Sequence, residues 1–346
     1  KVDLIIGDAS SGRINNNGVD SLIQAATDLT LTTGTLSNQS TKQSANSEKS
    51  QGILAGNALA INASTISNTG GQLLANDKIT IKASNQLNNQ SGTINSQDIV
   101  ISDSNTAGRG LVVANSQGLI NANKDLSITA RGYSNAGGTI SAVDQANINV
   151  YDSVYYGSSD TINAADLKWT TQGNFTNSGK LSAQNALTVS ANNIDNLKGA
   201  EITSNGTTAL NASANIDNRG LINGVNSYLD AVSTVNNYSN GRIYGDHVAI
   251  KATTLNNTPD VFTKTQVDNC KAGPGCLVEI YDAASKEQVW MSQTYLDELA
   301  KLETSDPSKY QQIMANNNFK YYKVTSDSAP VIAARRRLDI GVNTLN

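Results

Sequence analysis

One short signal recurs along most of the chain: Leu29-Thr30-Leu31, Leu59-Ala60-Ile61, Ile79-Thr80-Ile81, Ile99-Val100-Ile101, Leu126-Ser127-Ile128, Ile148-Asn149-Val150, Leu167-Lys168-Trp169, Leu187-Thr188-Val189, Leu210-Asn211-Ala212, Leu229-Asp230-Ala231 and Val248-Ala249-Ile250. Most spacings are 19 to 23 residues, and a fixed period of about 20 to 50 residues marks a solenoid, a propeller or an array. Two further signals keep a constant order around the first. A Gly, an apolar residue and a small residue precede it, as in Gly92-Thr93-Ile94-Asn95-Ser96, Gly118-Leu119-Ile120-Asn121-Ala122 and Gly138-Thr139-Ile140-Ser141-Ala142. An apolar residue and an Asn follow it, as in Leu36-Ser37-Asn38, Ile66-Ser67-Asn68, Phe175-Thr176-Asn177 and Ile216-Asp217-Asn218.

Apolar and polar residues alternate over three to five positions in each signal, which is the period of a strand with one face inward. Each period therefore holds three short strands, with Gly and Asn at the turns, where they tolerate positive φ. A helical reading fails because apolar residues do not recur at i, i+3, i+4 and i+7. An antiparallel sandwich has short strands too, but nothing in it requires the same three-part order in every period. A coiled ribbon does, because each coil must set the same residue type above its predecessor. The expected fold class is all-β, a right-handed parallel β-helix of about eleven coils over residues 1–258, on the order of 50 Å long at ~4.8 Å per coil. Equivalent Asn side chains are expected to hydrogen-bond along the axis as ladders. Two polar excursions, Gln39–Gln51 and Asp103–Gly110, read as loops on the side of the coil.

Pro259–Ala329 follows a different pattern. It holds both Cys, both Met and eight of the 17 aromatic residues: Phe262, Tyr281, Trp290, Tyr295, Tyr310, Phe319, Tyr321 and Tyr322. Leu277–Tyr281 and Phe319–Val324 read as strands, Tyr295–Leu302 has helical spacing, and Ser305-Asp306-Pro307 reads as a second helix start. This is a small α+β insertion, followed by a resumed coil at 330–346. Its aromatic residues are a candidate recognition surface or the insertion's own core. Cys270 and Cys276 bracket a Gly-Pro-Gly turn, which points to a local disulfide and an exported setting. A two-thiol metal site and a pair of free thiols are the alternatives.

A net charge of −4 argues against nucleic acid, whose phosphates demand clustered Lys and Arg. No stretch approaches the ~18 apolar residues of a membrane span. Neither a phosphate loop nor a nucleophile elbow occurs, so no cofactor and no metal are expected. The rival to a structural protein is a polysaccharide-active β-helix enzyme, with Asp195 and Asp217 as the nearest approach to a carboxylate pair, ~5 Å apart if neighbouring coils stack in register. Asn236 and Asn256 follow at the equivalent positions, so the pair reads as the end of a polar ladder instead. His247, beside Asp246, reads as an exposed turn residue without partners.

The succession Gly-x-Ile-x-Ala, Leu-x-Ile, Leu-x-Asn resembles the filamentous haemagglutinin repeats of large exoproteins exported by two-partner secretion, which include adhesins and the CdiA effectors of contact-dependent growth inhibition. The resemblance covers roughly residues 1–258 and resumes at Ile332–Asn346. It implies a secreted filament at the surface of a Gram-negative bacterium, exported through an outer-membrane transporter and presenting a receptor-binding or toxin region to a neighbouring cell. It implies no enzymatic activity for this part. A host-cell adhesin is the alternative within the same family. Lys1 begins abruptly in strand-like sequence, so the chain reads as an internal fragment, and the family's N-terminal secretion domain and C-terminal toxin module do not appear in it, which argues against a direct toxic activity. Ala333-Ala334-Arg335-Arg336-Arg337 stands where the resumed coil should carry its Gly turn, and an irregular coil is expected there.

Overall fold

The computed structural model describes residues 1–41, 51–105, 109–259, 262–267, 276–282, 287–290, 293–316, 318–326 and 328–346. The chain divides into two compact units, Lys1–Asn257 with Val331–Asn346, and Thr258–Pro330.

In the first unit the period-two alternation becomes a burial pattern. Along the strand Lys78–Asn88, Ile79, Ile81, Ala83 and Leu87 point inward while Lys78 and Lys82 face solvent. Every strand pairing in this unit is parallel and joins neighbouring coils, giving a parallel β-solenoid of about eleven turns. Leu31, Ile61, Ile81, Ile101, Ile128, Ile148, Trp169, Val189, Leu210, Leu229 and Ile250 form one register column through the core. All are at most 2% exposed. Burying a side chain of this kind is worth about 1.5–3 kcal/mol relative to leaving it in water, so the column is a main source of stability. It exists only because neighbouring coils cover one another.

The expectation of three separate short strands holds for the middle coils and fails near the first unit's ends. Leu29–Ser37, Ala58–Ser67 and Lys78–Asn88 run without interruption through the corner between the second and third strand positions, and Arg242–Lys251 through the corner between the first and second. Small residues such as Gly34 and Ser64 occupy that corner, and a bulge between Ala63 and Thr65 takes up the bend. These long strands join strands of all three positions into one 19-stranded sheet beside two 7-stranded sheets.

Of the excursion 39–51, residues 42–50 lie outside the described residues. Its ends are packed: Thr41 and Gln51 are buried, and Thr41 Oγ1 accepts from the Gln72 N–H at 3.1 Å. Residues 106–108 of the second excursion also lie outside the described residues. Its neck is closed by the Asp103 carboxylate, which accepts from the backbone N–H groups of Asn105, Gly110 and Leu111.

In the second unit, strands Phe262–Val267, Asn318–Ser326, Cys276–Asp282 and Glu287–Trp290 form an antiparallel sheet in that spatial order. Helices Gln293–Ser305 and Pro307–Asn316 complete it. Asp306 caps the second helix, its Oδ1 accepting from the Lys309 N–H at 3.0 Å, with Pro307 in the first helical position.

Candidate functional surfaces

The third-strand Asn residues form an internal ladder in two runs. Asn16 Nδ2 donates to Asn38 Oδ1, and the same bond links Asn38 to Asn68, Asn68 to Asn89, Asn89 to Asn115, and Asn115 to Asn135, each at 2.7 Å. A second run links Asn177, Asn196, Asn218, Asn237 and Asn257 at 2.8 Å. A buried amide costs free energy unless it is paired, and here each amide supplies its neighbour's missing partner. The Gly of the first signal has its reason in the same place. A Cβ on Gly71, Gly92, Gly118 or Gly138 would lie 2.0–2.1 Å from the carbonyl oxygen of Asn38, Asn68, Asn89 or Asn115 in the adjacent coil.

Between the two runs the ladder is interrupted. Tyr156 pairs in register with Asn177 and so occupies the Asn position. Its hydroxyl donates to the Asp160 carbonyl at 2.9 Å and lies 3.3 Å from the Lys180 carbonyl, standing in for an Asn amide. Burial, with the nearby Asp160 charge, pushes the Tyr156 hydroxyl up to about 12. Tyr156, Tyr133 and Phe175 meet the buried Trp169 edge-on, with ring centroids 5.2–6.3 Å apart. The sequence reading overlooked this cluster. Its signal was present, because Tyr151, Tyr155 and Tyr156 are dense for a repeat region that is otherwise poor in aromatic residues.

Asp195 and Asp217 do pair in register on adjacent coils. Burial first, and the Asp217 charge second, raise the Asp195 carboxyl above the usual carboxylate range, while Arg219 opposes the shift. Asn236 Nδ2 donates to Asp217 Oδ1 at 2.5 Å, Asn256 to Asn236 at 2.6 Å and Asn346 to Asn256 at 2.8 Å. The two carboxylates thus end an outer polar ladder.

His247 corrects the sequence reading. It lies within the strand Arg242–Lys251, its side chain is 27% exposed, and its Nε2 sits 2.7 Å from Asp339 Oδ2 on the last coil. The partner arrives from 92 residues away in sequence, which is why local reading missed it. The expected irregularity of that coil is a bulge: Gly245 pairs with Ala334 and His247 with Arg337, so Arg335 and Arg336 together face Asp246. Arg335 Nη2 lies 2.6 Å from Asp246 Oδ1 and Arg337 Nε 2.8 Å from Asp339 Oδ2. Hydrogen bonds from Arg335 hold Asp246, and those from His247 and Arg337 hold Asp339, below the usual carboxylate range. The guanidinium groups are largely exposed, so each pair contributes little to stability and the cluster acts mainly to fix register.

Of the candidate recognition residues, Phe262, Tyr281, Trp290, Phe319, Tyr321 and Tyr322 lie in the four strands of the antiparallel sheet, and Tyr295 and Tyr310 in the two helices. By register, Tyr321 stands between Val267 and Val278, Phe319 opposite Ile280, and Tyr322 between Gln266 and Leu277. Tyr310 is partly buried; the other seven side chains lie outside what is described. Cys270 also lies outside the described residues, and Cys276 begins a strand. No helix among the described residues is long and apolar enough to cross a membrane.

Comparison with known proteins agrees with the repeat. The family described as Haemagglutinin repeat matches at residues 43–113, 100–153 and 159–220, together half of the chain. No curated protein and no solved structure matches. A three-strand period, in-register stacking and three matched stretches lead to one assignment: the chain belongs to the haemagglutinin-repeat family.

Proposed function

We propose that this chain is a stalk segment of a secreted filament on the surface of a Gram-negative bacterium, holding a receptor-binding or toxin region away from the cell for contact with a neighbouring bacterium. The observation that carries this reading is the coil-to-coil pairing along the second-strand wall of the first unit, unbroken from Val2–Ile6 to Val331–Gly341, in which each coil supplies the register and the cover of the next. Such a stack transmits position along its axis and suits a spacer better than a catalyst. The family supports an adhesin-like, structural role. Export through an outer-membrane transporter of the two-partner type and delivery of a toxin belong to this proposal, as does recognition by the aromatic residues of 259–329. The test is binding of the purified chain to whole bacterial cells and to epithelial cells. Selective binding to bacteria, lost on deleting 259–329, supports the reading; binding to epithelial cells alone contradicts it and favours a host-cell adhesin.

A further inference from the structure

Among the described residues, the first-strand wall and the third-strand wall each break once, and both breaks flank residues 154–163. First-wall strands pair from coil to coil from Leu22–Ala25 onward until Thr161–Asn163, which pairs back with Thr139–Ala142 but not on to Lys180–Ala183. Third-wall pairing starts at Arg13–Asn15 and runs until Gly132–Ser134, which pairs back with Val112–Ala114 but not on to Val154–Tyr156. The amide ladder stops at the same place. Asn135 Nδ2 turns back to the Gly138 carbonyl at 2.8 Å, and the next rung is the bond from Asn177 to Asn196. The family match ends at residue 153 and resumes at 159.

Tyr156 accounts for the first-wall break. In other coils the residue that opens the first-wall strand donates its N–H to a carbonyl one coil back, as Thr139 does to Gly118 at 2.8 Å and Glu201 to Gly179 at 2.9 Å. Before Thr161 the equivalent acceptor is the Asp160 carbonyl, and it takes the Tyr156 hydroxyl instead. A phenol ring is longer than an amide side chain, so it holds the two strands apart where an Asn would let them close. The rings of Tyr133, Trp169 and Phe175 fill the space around it. That filling leaves Trp169 Nε1 and the Tyr133 hydroxyl buried without a hydrogen-bond partner, a desolvation cost that the paired amides of other coils avoid. Across the third-wall gap a side chain substitutes for backbone, with Asp160 Oδ1 accepting from the Gly137 N–H at 3.1 Å.

The coupling between coils is correspondingly thin here. A solenoid is held together by nearest-neighbour terms, so its cooperativity at any boundary is what crosses that boundary. Elsewhere three paired walls and an amide rung cross it. Around 154–163 the pairing that continues is that of the second wall, Gln145–Val150 with Asp166–Thr171 and then with Ala186–Ala191, together with corner bonds such as Asn185 N–H to the Ala165 carbonyl at 2.7 Å. Burial of the aromatic rings adds attraction, but burial is non-directional. It does not replace the rows of hydrogen bonds that make one coil's order depend on the next.

We propose that residues 154–163 form a joint that divides the solenoid into two separately cooperative blocks, the coils of the Asn16–Asn135 ladder and the coils of the Asn177–Asn257 ladder. Each block keeps its paired walls and its own ladder, and the joint is the boundary that opens first. Loss of order in one block then stops at the joint and leaves the other folded. The inference stands independently of the stalk reading, because it rests on strand pairing and the ladder.

Native-state hydrogen exchange on the full chain tests it, with one rung removed from either ladder. Asn68 and Asn218 each accept one rung bond and donate another. Asn68→Ala should lower protection about a hundredfold or more in Lys78–Asn88 and Asp98–Asp103, and leave Ala186–Ala191 and Thr207–Ala212 unchanged. Asn218→Ala should do the reverse. Ile79→Val, a milder truncation in the first block, should show the same one-sidedness with a roughly fivefold loss, and serves where a rung variant does not fold. A loss that crosses the joint, or one that tapers coil by coil with no step at 154–163, overturns the proposal.

Discussion

Replacing Asn115 by Ala removes one rung from the middle of the internal ladder. Asn115 is fully buried, accepts from Asn89 and donates to Asn135 at 2.7 Å each, and approaches the Gly118 and Thr139 carbonyls at 3.2 and 3.3 Å. Two amide–amide bonds are lost at about 1 kcal/mol each, and Asn135 Oδ1 becomes a buried acceptor without its donor, at about 1–3 kcal/mol. The expected destabilisation is about 3–5 kcal/mol. Asn257→Ala, at the end of the second run, removes only the bond accepted from Asn237 at 2.8 Å and should cost about 1 kcal/mol. Because a solenoid need not unfold in one step, the assay is native-state hydrogen exchange read at strands Val112–Ala114, Leu119–Ala122, Gly132–Ser134 and Thr139–Ala142. Protection there should fall by the full amount in Asn115→Ala. A loss below about 1 kcal/mol, or one no larger than for Asn257→Ala, would refute the view that the ladder is a cooperative element of the core.

Three further outcomes follow. Gly118→Ala should cost about 3 kcal/mol or more, because its Cβ would lie 2.1 Å from the Asn89 carbonyl oxygen, whereas Gly199→Ala, with nothing within 4 Å but a φ of +80°, should cost only about 1–2 kcal/mol; urea titration compares them. Since the folded-state Asp195 carboxyl is raised, its unfavourable contribution is present at neutral pH and is relieved as pH falls through that raised value. Asp195→Asn should therefore stabilise the chain at pH 7 by less than about 1 kcal/mol and flatten stability against pH across the carboxylate range; a loss of stability at pH 7 would contradict the assignment. Thiol titration of the denatured chain should find no reactive thiol before reduction and two after it, if Cys270 and Cys276 are joined; two thiols before reduction rule out the disulfide.

Much of the fold was legible in the sequence because a solenoid repeats its instructions. Ile79, Ile99 and Leu126 announce the same inward position in successive coils, and Asn68, Asn89 and Asn115 the same rung, so each coil corroborates the others. What occurs once was harder to read. Tyr156 resembles an error in the Asn column until its hydroxyl is seen bonding where the amide would. His247 gains its partner only when the last coil returns after the intervening unit, and the bulge that opposes Arg335 and Arg336 to Asp246 depends on that return.

The central claim is the stack itself, and distances along one register column test it. Lys82, Ser102, Thr129, Asn149, Thr170, Ser190, Asn211, Asp230 and Lys251 follow one another coil by coil. Lys82, Asn149, Asn211 and Lys251 are all exposed and can carry spin labels. Pulsed electron–electron resonance from a label at Lys251 should give separations growing by ~4.8 Å per coil, roughly 10 Å to Asn211, 24 Å to Asn149 and 38 Å to Lys82, apart from a constant tether contribution. Separations that fail to increase in this order, or a Lys82–Lys251 distance no longer than that from Asn149, would contradict the parallel in-register stack.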